Sequence, residues 1–300
     1  MDSRNSNYST SPHKNPKMNA SLRLFLSFFF LPLFVLGADD VSISLTPASV
    51  MQGEPLMVQI HQASVSQIES ATFNGTKLGI FMHKGIPTAF AATALEEKGG
   101  AYPLRVTLRD GSIIEKTVIV GVRPRVQKPL GIPEKLGGNT VASAKKLVST
   151  LQKDNVNLTN LKTQDHALWT EDFALPFKNA VVTDTFGYQR DTVGYEIAHK
   201  GTDFRASTGT SVLAMNRGVV RVARAFSTYG KTVVIDHGLG LFTFYMHLSK
   251  LKVWQGQLVQ KGQLIGASGE SGYATGPHLH LTVRMGNTSV DPERFLAFFD

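Results

Sequence analysis

Cysteine is absent from this 300-residue chain. That excludes disulfides, a lipid-modified N-terminal cysteine and any thiolate ligand, so a metal site must be built from His, Asp or Glu. No His-Glu-x-x-His sequence occurs either, which removes the glutamate base that such a helix carries. Long apolar runs are missing as well. The apolar stretch Leu24 to Leu36 covers 13 residues and contains Pro32, short for a spanning helix. It follows Lys14, Lys17 and Arg23 and ends at Val35-Leu36-Gly37-Ala38, where small residues allow cleavage. Residues 1–38 are therefore expected to be an export signal, with Met18 as a possible start, and the only membrane association expected is through it. No nucleic-acid-binding module is recognisable, and an export signal argues against one.

A hydrophobic fraction of 42% and a charged fraction of 18% are ordinary for a folded protein. The formal charge is +8, and residues 1–38 hold four Lys or Arg against Asp2, which leaves +5 for the remainder. Such a surface suits anionic partners such as wall polymers or lipid head groups, and equally serves solubility.

The chain is long enough for two domains. Residues 39–126 read as short alternating strands: Val41 to Leu45, Leu56 to Ile60, Ala71 to Phe73, Tyr102 to Leu108 and Ile113 to Val122. Asn74-Gly75, Gly99-Gly100 and Asp110-Gly111 supply turns between them, which predicts a β-sandwich-like (immunoglobulin-like) domain. His61 and His83 are isolated in it and read as surface or packing residues. Prolines at 124, 129 and 133 mark a boundary. Residues 127–170 read as a linker whose Val141 to Asn155 stretch has helical spacing. From 171 to 300 the sequence is rich in Gly and in β-branched runs, the pattern of short antiparallel strands with tight turns and no long helix. The fold class expected for the whole chain is all-β.

Chemistry concentrates in three segments of this last region. They are His199-Lys200-Gly201-Thr202-Asp203, Tyr245-Met246-His247 and Gly276-Pro277-His278-Leu279-His280. In a strand, residues two or four apart share a face, so His199 with Asp203, and His278 with His280, can converge. Four imidazoles and one carboxylate are enough for a zinc site with residues left over for catalysis. The spacing leaves open which of His278 and His280 would bind metal.

These three segments, with Phe186-Gly187-Tyr188-Gln189-Arg190, Asp236-His237-Gly238 and Asp291-Pro292, resemble the M23 peptidases, the lysostaphin and LytM type of zinc endopeptidase. The resemblance covers roughly a hundred residues and leaves the N-terminal region outside. It implies a C-terminal antiparallel β domain with one Zn2+ per chain held by His199, Asp203 and His280. It also implies His247 and His278 as catalytic histidines, one moving protons and the other stabilising the oxyanion. His237 is expected to be structural. Tyr245 and Arg190 are candidate substrate contacts, with packing and a surface charge as their respective alternatives, and Lys200 either tunes the site or faces water. The implied substrate is peptidoglycan, cleaved at a peptide cross-link, with the D-Ala–diamino acid bond preferred over Gly-Gly. The implied location is the periplasm or cell envelope. The alternative is a non-enzymatic wall-binding regulator of another hydrolase, but no core position is lost. A latent enzyme is a third possibility, with the N-terminal region or the linker over the groove and a plug ligand such as His166 or an Asn between 139 and 160. One departure from the family pattern is Thr282, where many relatives carry Glu.

Overall fold

Alternation of apolar and polar residues sets the strands of both halves. The computed structural model describes residues 41–299. The expected export signal lies outside them, and among them no helix is long and apolar enough to cross a membrane. The N-terminal strands are β1 (Ser42–Thr46), β2 (Val50–Met51), β3 (Pro55–His61), β4 (Ile68–Phe73), β5 (Thr76–Lys77), β6 (Ile80–His83), β7 (Ile86–Ala92), β8 (Gly100–Leu108) and β9 (Ile113–Gly121). They form two sheets, β1-β3-β7-β6 and β2-β9-β8-β4-β5. Leu56, Val58 and Ile60 of one sheet meet Leu104, Val106 and Val118 of the other, and all six are fully buried. This is the expected sandwich. Its strand β7 escapes sequence reading because Ile-Pro-Thr-Ala-Phe-Ala-Ala carries a proline and three alanines, weak strand formers. Its alanines nevertheless pack tightly, Ala89 and Ala91 being essentially unexposed.

The linker is not a loose connector. Its strand β10 (Gln127–Pro129) pairs in parallel with β12 of the C-terminal region (Gln189–Thr192). Helix α1 (Val141–Val156) matches the expected helix to within a residue, and the Thr140 hydroxyl caps it by accepting from Ser143 N. Ser143 is buried rather than a polar interruption, because its hydroxyl donates to Gly137 O at 3.0 Å. Beyond the helix, Leu158 and Trp169 are buried against opposite faces of the C-terminal sheet.

The remaining strands are β11 (Val182–Asp184), β13 (Tyr195–Ala198), β14 (Thr202–Arg205), β15 (Ser211–Leu213), β16 (Gly218–Phe226), β17 (Gly230–Asp236) and β18 (Leu241–Leu248). They are followed by β19 (Lys250–Leu251), β20 (Leu258–Val259), β21 (Leu264–Ala267), β22 (His278–Met285), β23 (Thr288–Val290) and the short helix α2 (Pro292–Leu296). The main sheet runs β11-β14-β22-β18-β17-β16-β20, with β23 paired to β22. Leu279, Leu281 and Val283 of β22 point into the core, so His278, His280, Thr282 and Arg284 share the opposite face.

The sandwich is fastened to this sheet through an aromatic cluster. Phe81 and Phe90 pack on Trp169, Phe295 and Phe298, with ring centroids between 4.9 and 6.2 Å apart for the contacting pairs. Arg123 lies between Glu54 at 3.5 Å and Asp291 at 3.3 Å. Lys200, one of the residues between the site histidine and its carboxylate, pairs with Glu96 of the sandwich.

A candidate metal centre with two spare imidazoles

Three expected ligands meet at one point. In the β14–β22 ladder Asp203 stands directly opposite His280. His199 enters from the turn before β14. The turn needs glycine at 201, since a Cβ there would lie 2.4 Å from His280 Nε2 and 2.5 Å from Leu281 O. Asp203 Oδ1 lies 2.7 Å from His280 Nδ1 and 3.1 Å from His199 Nε2, and those two nitrogens are 3.1 Å apart. All three residues are buried.

Hydrogen bonds decide what these atoms present. His199 Nδ1 lies 2.8 Å from the carbonyl of Thr185, which can only accept, so the ring proton sits there and Nε2 carries a lone pair. Thr282 Oγ1 donates to Lys200 O at 2.9 Å, so His280 Nε2, 3.0 Å away, must be the donor to Thr282. That leaves His280 Nδ1 bare. Two imidazole lone pairs and a carboxylate oxygen thus face one another with no proton between them. Such an arrangement is repulsive without a cation. The spacings fall just inside the roughly 3.4 Å edge of a tetrahedron with bonds of about 2.1 Å. The residues therefore fit a metal ion. Among the described residues this is the one group of three or more His, Asp or Glu that could hold one.

The charges agree. Burial pushes His280 down to about 4, although the Asp203 carboxylate acts the other way. Burial alone would raise Asp203; protonated His280 and His199 rings would outweigh it and hold the carboxyl well below its ordinary value, a proton then standing where a cation would. At neutral pH His280 is therefore a neutral imidazole and Asp203 an anion.

The other two imidazoles stand beside this cluster. The His247 ring centroid is 4.8 Å from that of His278 and 6.1 Å from that of His280. His247 donates from Nδ1 to Ser271 O and His278 from Nδ1 to Gly276 O, both at 2.8 Å, so each has a bare Nε2. His247 is pushed down to about 3 by burial first and by His278 and His280 second.

Tyr245 is not placed with them. Regular alternation would set it on the face of His247, but His247 has a left-handed backbone, φ 60°, which breaks the alternation at the end of β18. Tyr245 points into the core with no exposed surface. Its hydroxyl accepts from Met215 N at 2.9 Å, so it has nothing to offer a substrate. Arg190 is placed at the site, but against carboxylates: Nη2 lies 2.6 Å from Asp184 Oδ2 and 2.5 Å from Asp203 Oδ2. His237 is fully buried between Arg217 O and Thr243 Oγ1, 2.8 Å from each, and burial pushes it down to about 4. His166 is exposed, pairs with Asp165 and is not in the cluster. Asp184, Thr185 and Ser271 were not singled out by sequence; no local pattern marks a residue whose role is to hold another.

A cavity of about 610 Å³ opens onto the cluster. His199, His247 and His280 line one side, and Leu147, Leu151 and Asn155 of α1 line another. The helix is tied down by Asp154, which accepts from Thr228 N at 2.7 Å, and by Asn155, 2.6 Å from the Tyr229 hydroxyl.

A buried two-imidazole, one-carboxylate centre on an antiparallel sheet, with two further imidazoles at its edge, defines a metallohydrolase-like site. Residues 197–292 match peptidase family M23, and this part of the chain is a domain of that family. Over 82 residues the chain is 50% identical to peptidoglycan DD-endopeptidase ShyA of Vibrio cholerae serotype O1, covering 27% of this chain and 19% of that protein. It is 37% identical over 112 residues to DD-carboxypeptidase/endopeptidase Mpg of Neisseria gonorrhoeae, covering 37% of this chain and 26% of that protein. The matched segment thus spans about a fifth to a quarter of these relatives. The crystal structure of an M23 peptidase candidate from Pseudomonas aeruginosa superposes with a TM-score of 0.55 at 23% identity, over 83% of this chain and 96% of that one. That likeness extends the shared fold to the N-terminal sandwich.

Proposed function

We propose that the protein is a zinc-dependent endopeptidase that hydrolyses peptide cross-links of bacterial peptidoglycan. The observation that carries this reading is the convergence of three lone pairs from His199, Asp203 and His280, with two more bare imidazole nitrogens alongside. The domain family and the names of the relatives, DD-endopeptidase and DD-carboxypeptidase/endopeptidase, support the substrate class and favour a D-Ala–diamino acid bond over Gly-Gly. They also support action in the cell envelope.

His199 Nε2, Asp203 Oδ1 and His280 Nδ1 would hold one zinc. When bound, the ion supplies a Lewis acid and lowers the pKa of its water toward about 7. His278 is the more open of the two remaining histidines, its side chain 19% exposed. Its Nε2 accepts the proton of the attacking water and returns it to the leaving amine. His247 stands against it, held by Ser271 O, and its bare Nε2 accepts a hydrogen bond that orients the attacking water. Helix α1 along the cavity supports a resting form in which a bulky cross-linked strand has restricted access.

Mass spectrometry of muropeptides tests the reading. Purified chain is incubated with intact peptidoglycan, beside a chelator control and His278→Ala. Loss of cross-linked dimers that depends on metal and on His278 is the expected result, and the products identify the bond. No cleavage by zinc-loaded protein would favour the wall-binding regulator.

A further inference from the structure

Four alternating charges run outward from the metal site. The β10–β12 ladder pairs Lys128 with Arg190, and the β11–β14 ladder pairs Asp184 with Asp203. The two ladders bring these side chains together in the order Lys128, Asp184, Arg190, Asp203. Lys128 Nζ is 3.0 Å from Asp184 Oδ1. Arg190 holds Asp184 Oδ2 with Nε at 3.1 Å and Nη2 at 2.6 Å, and the same Nη2 reaches Asp203 Oδ2 at 2.5 Å.

The two oxygens of Asp203 are thereby given different tasks. Oδ1 faces the histidine nitrogens, and Oδ2 is taken by the guanidinium. A carboxylate free to rotate could offer both oxygens to one ion, which would fill the position that a catalytic centre keeps open. The other two ligands have their own supports, Thr185 O for His199 and Thr282 for His280. Arg190 completes the set. Without it the Asp184 and Asp203 carboxylates would face each other with no cation between them.

We propose that Arg190 is the positioning residue of the metal centre, making Asp203 a one-oxygen ligand, and that Asp184 and the linker's Lys128 hold Arg190 in place. This rests on the zinc reading above. It differs from a role in binding substrate, because the groups that Arg190 engages belong to the protein itself. Partners of this kind typically change metal affinity by about 10- to 100-fold when removed.

The test compares Arg190→Ala, Arg190→Lys and the peripheral Lys128→Met with the unaltered chain. The readouts are zinc affinity by competition with a chelator, the visible spectrum of the cobalt-substituted protein, and melting of the metal-free form. Arg190→Ala should weaken zinc by about 10- to 100-fold. Its cobalt absorption should fall, since absorption weakens as coordination number rises. Arg190→Lys should recover part of the affinity, and Lys128→Met should shift both readouts in the same direction by less. Zinc affinity and cobalt spectrum unchanged in Arg190→Ala, with only KM raised, would overturn the proposal and return Arg190 to substrate binding. A fall in metal-free melting temperature with normal cobalt spectra in all three variants would also overturn it. If the unaltered chain bound no zinc, the metal reading itself would fail; zinc held equally by the chain and by Arg190→Ala sinks only the role of Arg190.

Discussion

The sandwich and the C-terminal sheet are both made by strand alternation, yet they bury different things. Between residues 41 and 121 the buried polar side chains are Glu54, Thr88 and Thr93, each bonded within the sandwich or to its own strand. The C-terminal sheet buries His199, Asp203, Asp236, His237, His247 and His280. A buried ionisable group costs several kcal/mol unless it is satisfied, so a fold keeps a cluster of them only where something offsets the cost. Asp236 and His237 are satisfied by neighbours: Arg221 and Thr163 for the carboxylate, Arg217 O and Thr243 for the ring. The His199, Asp203 and His280 cluster is not, because its three inner atoms are all acceptors. The contrast separates a buried polar pair that is satisfied within the fold from a cluster whose facing acceptors fit a cation.

The largest effects should come from altering that cluster. Asp203→Ala is expected to abolish stoichiometric zinc binding and cleavage together, read by metal analysis and muropeptide release. His278→Ala should retain zinc while losing about 10²- to 10⁴-fold in kcat. Loss of zinc in His278→Ala would place that residue among the ligands and break the division of roles. Thr93→Val in the sandwich supplies the control; it should cost about 1–3 kcal/mol of stability and leave kcat unchanged.

Gly201→Ala should follow in size. The new Cβ collides with His280 and with the Leu281 carbonyl, so the turn must shift and carry His199 with it. Destabilisation of about 1–3 kcal/mol is expected, with weakened zinc binding. A variant that melts and binds zinc normally would show that the turn is less constrained than the close approach implies.

Acidity should distinguish the two regions next. In the metal-free fold, burial keeps His247 neutral to about pH 3 and His237 and His280 to about pH 4. In the unfolded chain they gain protons below about pH 6.5. The unfolded state therefore binds more protons between these limits, and stability must fall as pH drops from about 6.5 toward 4. Thermal melts of chelated protein from pH 8 to 4.5 would show it. A melting temperature that held steady or rose on acidification would contradict the burial of these rings.

The smallest effect concerns α1. Asn155→Ala removes its bond to Tyr229 and should raise cleavage of intact peptidoglycan a few-fold, with little change on a short soluble peptide. Equal rates on both substrates, unchanged by the substitution, would mean that the helix is a fixed wall.

Much of this was legible before any coordinates. The His-x-His pair lies on a strand that alternates regularly, so its shared face follows from period two; His199 sits in the turn before β14, and its approach to Asp203 depends on that turn and Gly201. Which of His278 and His280 stands beside Asp203 did not follow, because both lie on the same face; the register sets Asp203 opposite His280. Tyr245 takes the packing alternative, since one left-handed residue reverses the parity of a strand and nothing in Tyr-Met-His announces it. Thr282 stood out as a departure, and its use became visible only with the Lys200 carbonyl beneath it. Truncation before Thr170 would be a poor test of latency. It would remove β10, α1, Leu158 and Trp169 along with any cover.

The central claim is that the three converging lone pairs hold one divalent cation. Calorimetric titration of zinc into chelator-stripped protein tests it most directly. One zinc per chain, lost in Asp203→Ala and retained in His278→Ala, is the predicted result. No binding by the unaltered chain, or binding that survives Asp203→Ala undiminished, would contradict it.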